Sequence, residues 1–150
     1  MRIAVIGSRS PSVQSMNKVA AYLDSIKDEI NEIVTGGAFG MDSFGMEYAH
    51  NNEICLTVYE PSGWHNKELC DKYRYNEDHN IVATGLGFNE RNTLIIKRCD
   101  FVVCGDYGNG TIDAMNKALK MGKKVYCFGS YIPGRFYKPT PKGVIFKDRE

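Results

Sequence analysis

The chain has 150 residues, with 19 Lys+Arg against 18 Asp+Glu, a formal net charge of +1 and 43% hydrophobic residues. This length suits one compact domain able to bury a continuous core without metals or disulfides, and the near-neutral charge lacks the positive field of a dedicated duplex-DNA binder, so nucleic acid is not the expected partner. No apolar run approaches the length of a membrane span, and the five cysteines (Cys55, Cys70, Cys99, Cys104, Cys127) contain no CxxC pair, which reads as buried thiols in a cytoplasmic protein with no membrane partner.

Residues 2–6 form a buried strand, after which Ser10-Pro11 offers an N-cap and a first-turn proline. Val13, Met16, Ala20 and Leu23 then recur at helical spacing and define one apolar face. A second strand at Ile33-Val34 ends in Gly36-Gly37, and a helix runs from about Asp42 to Asn51. Ile54 to Tyr59 make a third strand of strong β propensity. From Glu60 to Gly87 the sequence is polar, aromatic and broken by glycine and proline, too long for an ordinary connection, so it is read as a functional lid or as short helices.

Asn89 caps a helix carrying Leu94, Ile95 and Cys99, which leads into a fourth strand, Phe101 to Cys104. A helix from Thr111, with Ile112, Met115 and Leu119 on one face, stops at Gly122 before the fifth strand, Val125 to Phe128. The tail from Tyr131 mixes basic and aromatic residues and ends near a weak edge-strand signal at Gly143 to Phe146. The β-α alternation predicts an α/β fold: a Rossmann-like, doubly wound, mainly parallel five-stranded sheet with helices on both faces and an extra C-terminal edge strand. The expected organisation is a single domain over 1–150, with a core of about 2–129 and a tail of 130–150.

Function is concentrated in the glycines. Gly105-Asp-Tyr-Gly-Asn-Gly-Thr111 follows the fourth strand and opens a helix, so Gly108, Asn109, Gly110 and Thr111 present unpaired N–H groups and the positive end of a helix dipole, a cradle for phosphate. Glycine turns of this kind also serve merely to reverse the chain. Two further turns, at Gly7-Ser8-Arg9 and at Gly36-Gly37 with Asp42, emerge at the same carboxyl edge, where open α/β folds place ligands. Neither the Walker pattern nor the dinucleotide fingerprint is present. His50, His65 and His79 are too far apart in sequence to suggest a metal site, and no metal or cofactor is expected.

Taken together, Val5-Ile-Gly-Ser-Arg9, Thr35-Gly-Gly-Ala-Phe-Gly-Met-Asp42, Glu90-Arg-Asn92 and Gly108-Asn-Gly-Thr111 resemble the SLOG superfamily, a Rossmann-like set, and within it the YspA-like, YpsA-related branch. The resemblance covers about residues 2–129 and extends more distantly to "lonely guy" phosphoribohydrolases and DprA-like proteins. It implies that Ser8 and Arg9 contact base or sugar, and that Arg91 is the arginine that supports N-glycosidic cleavage of a nucleoside monophosphate. It also implies a homo-oligomer.

The glutamate of those hydrolases falls here on Ala114, which can neither stabilise an oxocarbenium-like state nor activate water. Asp113, next to it, points about 100° away on a helix. Glu60, Glu90 and Asp106 remain as carboxylates at element ends, each equally suited to a solvated charge or a cap. The candidate catalytic set is therefore Arg91, Glu60, Glu90 and Asp113. Thr35, Asn92 and Asp113 are candidates for ribose hydroxyls, and Trp64 for stacking a base or for plain packing.

The expected partner is a nucleotide or nucleotide-derived small molecule, held at the carboxyl edge of the sheet and either hydrolysed to free base or bound intact by a sensor or sequestering protein. Single-stranded DNA binding by the basic aromatic tail is the third reading.

Overall fold

Strand residues alternate between the two faces of a sheet, and the strand Arg2–Ile6 (β1) is apolar on both: Ile3 and Val5 enter one core, Ala4 and Ile6 the other. Such a strand has no solvent side and belongs at the centre of a parallel sheet. The computed structural model describes residues 1–149. After β1 come α1 (Val13–Ser25), β2 (Glu32–Thr35), α2 (Met41–Asn51), β3 (Cys55–Glu60), α3 (Lys67–Tyr73), β4 (His79–Ala83), α4 (Phe88–Arg98), β5 (Phe101–Cys104), α5 (Asn109–Lys120), β6 (Val125–Cys127) and β7 (Ile145–Phe146).

The sheet has seven strands in the order β4-β3-β2-β1-β5-β6-β7, and every pairing is parallel. This corrects the five-stranded expectation. The weak edge signal near Phe146 is β7, paired to β6. The strand that composition concealed is β4, inside the stretch read as a lid. It pairs only with β3 and is exposed or half-buried along its whole length. With one neighbour and wet faces, it needs no continuous apolar run, and that run is the signal by which buried parallel strands are recognised.

Val19 and Leu23 of α1, Met41 and Met46 of α2 and Cys70 and Tyr73 of α3 pack on one face of the sheet. Ile95 and Ile96 of α4 and Ile112, Met115 and Ala118 of α5 pack on the other. Val13, expected on the inner face of α1, is 67% exposed, because the helix starts there, capped by Ser12, and turns Ser15, Val19 and Leu23 inward. Gly87 rather than Asn89 caps α4, and α5 begins two residues before Thr111. Among the described residues the five cysteines are free thiols, four of them buried. Among the described residues no helix is long and apolar enough to cross a membrane.

Beyond β1 the chain builds outward through β2, β3 and β4, and α4 then returns it to the opposite side of β1 as β5. The strand order thus reverses between β1 and β5, and a crevice opens beyond their carboxyl ends. The two ends are held close, with Ser8 N–H donating to Asp106 O at 2.6 Å. Gly7 makes this approach feasible, since a Cβ there would stand 2.6 Å from Asp106 O and 2.8 Å from Met41 Cβ. Gly7→Ala is expected to lower the unfolding free energy by about 1–3 kcal/mol through overpacking. Gly110→Ala, with nothing within 4 Å of the added carbon, should leave it nearly unchanged; urea titrations of the two variants measure the contrast.

Candidate functional site

The crevice is a cleft of about 410 Å³, within the size range of small-molecule sites. Gly7, Ser8 and Arg9 from the turn after β1 line it, together with Asp42 from α2, Arg91 and Asn92 from α4, and Gly108, Asn109, Gly110 and Thr111 at the start of α5. One interstrand turn and three helices thus converge at one edge of the sheet.

The α5 turn offers free donors. Among the described residues the N–H groups of Asn109, Gly110 and Thr111 meet no acceptor, as befits a first helical turn. Gly108 N–H makes only a long contact, 3.4 Å, to Thr111 Oγ1. The Asn109 side chain is not available to a ligand: Nδ2 donates to Phe136 O at 2.5 Å, and Oδ1 accepts from Tyr131 Oη at 2.6 Å. These bonds draw the tail over the cleft, where Ile132, Pro133 and Gly134 form a wall. The sequence reading missed this wall and Phe88, although Pro133-Gly134 follows β6 at the same carboxyl edge as the other turns.

Opposite the turn, Arg91 is 5% exposed. Its Nη1 donates to Gly36 O and, at 3.3 Å, to Tyr59 O, and its Nε donates to Asn92 Oδ1 at 3.1 Å. Nη2 donates to no protein acceptor among the described residues. Burial pulls the Arg91 guanidinium down from its ordinary pKa, Asp42 opposes this, and nearby Arg9 adds to it. Among the described residues Asp42 is the only carboxylate lining the cleft. Burial pushes it up to about 6, against the pull of Arg91 and of the amides of Ala38, Gly36 and Gly7. Two guanidiniums facing one reluctant carboxylate leave the cleft short of negative charge.

Other candidates lie outside the lining or are bonded to protein. Gly36 and Gly37 are outside the cleft lining: a Cβ on Gly36 would land on the Arg91 guanidinium, and one on Gly37 would approach Cys70 Sγ to 3.0 Å, so these glycines make room for side chains. Thr35 is fully buried and gives its hydroxyl to Val5 O at 2.7 Å, which removes it from any ribose contact. Asn92 Nδ2 reaches Gly110 O and Asp113 Oδ2, both at 3.2 Å, tying α4 to the donor turn. Asp113 also pairs with Lys117 at 2.9 Å. Glu90 is exposed in the first turn of α4, a position favoured by the helix dipole.

Burial works against the charge of Asp106, but the amides of Ser12 and Ser130, at 2.8 and 2.9 Å, outweigh it and hold the carboxyl below its usual range. Asp106 is a clasp between loops. Glu60 is buried and bonded to His65 Nε2 at 2.8 Å and to Arg74 Nη2 at 2.9 Å; despite desolvation, these partners keep it low.

The ligand atoms of Glu60, His65 and Cys70 lie within 4.8 Å of one another, a grouping invisible in a search over histidines alone. Arg74 already balances that carboxylate. Burial, reinforced by Glu60, pushes the Cys70 thiol up to about 12. Glu60, His65 and Arg74 form a hydrogen-bonded network outside the cleft lining.

Comparison with known proteins places this geometry in context. The model of the SLOG cluster4 family matches residues 1–148. No curated protein matches the sequence. Among solved structures, DNA processing protein A (DprA) from Streptococcus pneumoniae is 20% identical with a TM-score of 0.71, over 95% of this chain and 53% of that one. The chain therefore spans about half the length of that protein. DNA processing protein A from Helicobacter pylori, described by its single-stranded DNA binding mode, is 21% identical with a TM-score of 0.66, over 85% of this chain and 65% of that one. The molybdenum cofactor carrier protein from Chlamydomonas reinhardtii is 20% identical with a TM-score of 0.67, over 86% and 76%. At such identities the likeness is one of fold.

The raised Asp42 pKa carries a signed consequence for stability. Between the ordinary value of 3.8 and about 6 the folded protein holds a proton that the unfolded chain has released. Stability attributable to Asp42 is therefore present below that window and lost as pH rises through it, by up to about 1.4 kcal/mol per pH unit. Urea unfolding of wild type and Asp42→Asn across this window should show the stability difference moving in favour of the variant as pH rises.

Proposed function

The chain belongs to the SLOG cluster4 family, and from that premise we propose that it binds the phosphate of a nucleotide or nucleotide-derived small molecule in the β1/β5 crevice and releases it intact. One observation carries the reading: Arg91, whose Nη2 has no protein acceptor among the described residues, lines the same cleft as Asn109, Gly110 and Thr111, whose N–H groups are unpaired. A phosphate supplies several acceptor oxygens and the missing negative charge. A guanidinium and a helix N-terminus both bind phosphate without a metal.

Intact release follows from the carboxylates. Glycosidic hydrolysis needs one beside the anomeric carbon, yet buried Ala114 lines the cleft where the related hydrolases carry glutamate. Glu60 and Asp113 are bonded to cations. Asp42 is tied to Ala38 N–H at 3.3 Å and faces Arg91. Sensing or sequestration of a nucleotide signal is the role such a site serves.

Ribose 5-phosphate and a panel of nucleoside monophosphates should raise the melting temperature in proportion to the logarithm of ligand concentration. Arg91→Lys keeps a charge but loses the planar fork and should weaken binding by about tenfold or more, since a hydrogen bond to a charged group is worth about 1.5–3 kcal/mol. Chromatography after incubation should return intact nucleotide; accumulation of free base would replace the binder with a hydrolase, and no thermal shift with any of these compounds would end the phosphate reading.

A second reading, single-stranded DNA binding, is favoured by the tail, where Phe136 and Tyr137 are 71% and 75% exposed beside Arg135 and Lys138. It agrees with what the Helicobacter pylori relative is described as doing. Exposed aromatics among cations are the usual platform for unpaired bases. On this reading oligonucleotide affinity falls steeply with salt and drops further in a Phe136→Ala/Tyr137→Ala variant; no retention of a single strand at low salt would dispose of it.

A further inference from the structure

At the mouth of the cleft, Phe39, Trp64, Arg9 and Phe88 form one continuous stack. The rings of Phe39 and Trp64 lie 4.6 Å apart at 29°. The Arg9 guanidinium carbon is 5.0 Å from the Trp64 ring centre and 5.3 Å from that of Phe88. The inner end adjoins the phosphate site, because the Arg91 guanidinium stands 5.9 Å from Phe88, and Arg9 and Phe88 both line the cleft. Trp64 is 61% exposed and Phe39 36%. An indole this wet contributes little to the core, which removes the packing explanation for the single tryptophan of the chain.

We infer that Trp64 and Phe88 form the specificity slot for a planar heterocycle, so that the ligand is a phosphate monoester with a nucleobase-like ring at its far end. The inference rests on the phosphate-binding reading and extends it to the other end of the molecule. In the free protein the slot holds the guanidinium of Arg9, a flat, delocalised cation that stacks on aromatic faces much as a heterocycle does. Arg9 is exposed, so its side chain is free to leave the slot when a ring enters. It also lies close enough to Arg91 to depress it, which places its charge within reach of an anion in the cleft. The ring therefore replaces the guanidinium between the two aromatic side chains, and the guanidinium turns toward the phosphate.

Because Trp64 is the only tryptophan, its fluorescence reports on the slot alone. Adenosine 5′-monophosphate and ribose 5-phosphate are titrated in parallel, with thermal shift recording binding and indole emission, excited beyond the adenine absorption, recording stacking. Both compounds should raise the melting temperature, and only adenosine 5′-monophosphate should quench the indole. Trp64→Ala, at an exposed site that leaves the core intact, should weaken adenosine 5′-monophosphate by roughly 5- to 150-fold, the range of base–aromatic stacking, and leave ribose 5-phosphate unchanged.

Binding of both compounds without quenching, and with equal affinities in Trp64→Ala, would overturn the slot while leaving the phosphate site standing. Binding of neither would remove the phosphate site and the slot with it.

Discussion

A reversal of strand order between β1 and β5 sets where every other group of the site stands. The chain lays β2, β3 and β4 to one side of β1 and then restarts on the other side with β5. Right-handed crossovers put α1, α2 and α3 on one face and α4 and α5 on the other. Loops leaving β1 and β5 consequently turn to opposite faces, and nothing in the backbone fills the space between their ends. The cleft exists for this topological reason, before any side chain is specified.

The side chains then make the space electropositive. Arg91 enters from α4 across the end of β2, where the absence of a side chain on Gly36 lets the guanidinium reach that residue's carbonyl. A buried cation is costly unless it is bonded and charge-balanced. Two carbonyls, Asn92 and Asp42 meet much of this requirement, but burial keeps the Asp42 carboxyl reluctant to ionise, and Arg9 adds a further positive charge. The residual demand for negative charge faces the unpaired amides of the α5 turn, so charge and hydrogen-bond geometry call for the same kind of ligand.

Second-layer contacts hold these groups still. Asn92 joins α4 to the α5 turn, Asp106 clasps the loops containing Ser12 and Ser130, and Asn109 binds the tail that walls the cleft. Each is a polar side chain of a kind that, in a sequence, looks equally suited to touching a ligand. Their bonds in the fold show them spent on protein, which explains why fewer polar side chains are left free at the cleft than the sequence offers near its glycines. Glu60 and Thr35 were attractive for the same reason and are satisfied in the same way.

The order of the core elements, the parallel α/β architecture and the three glycine turns of the carboxyl edge are legible in the amino-acid string, because apolar periodicity and glycine placement are local consequences of burial and backbone sterics. The string left β4 hidden, since an edge strand with wet faces carries no apolar signature. Which polar groups remain free, that Asp42 rather than Glu60 shares the cleft with Arg91, and that Trp64 stands beside Arg9 and Phe88 emerge from the folded chain alone. Those outcomes depend on pairings between residues far apart in the chain, whose energies arise only once the crossovers bring them together.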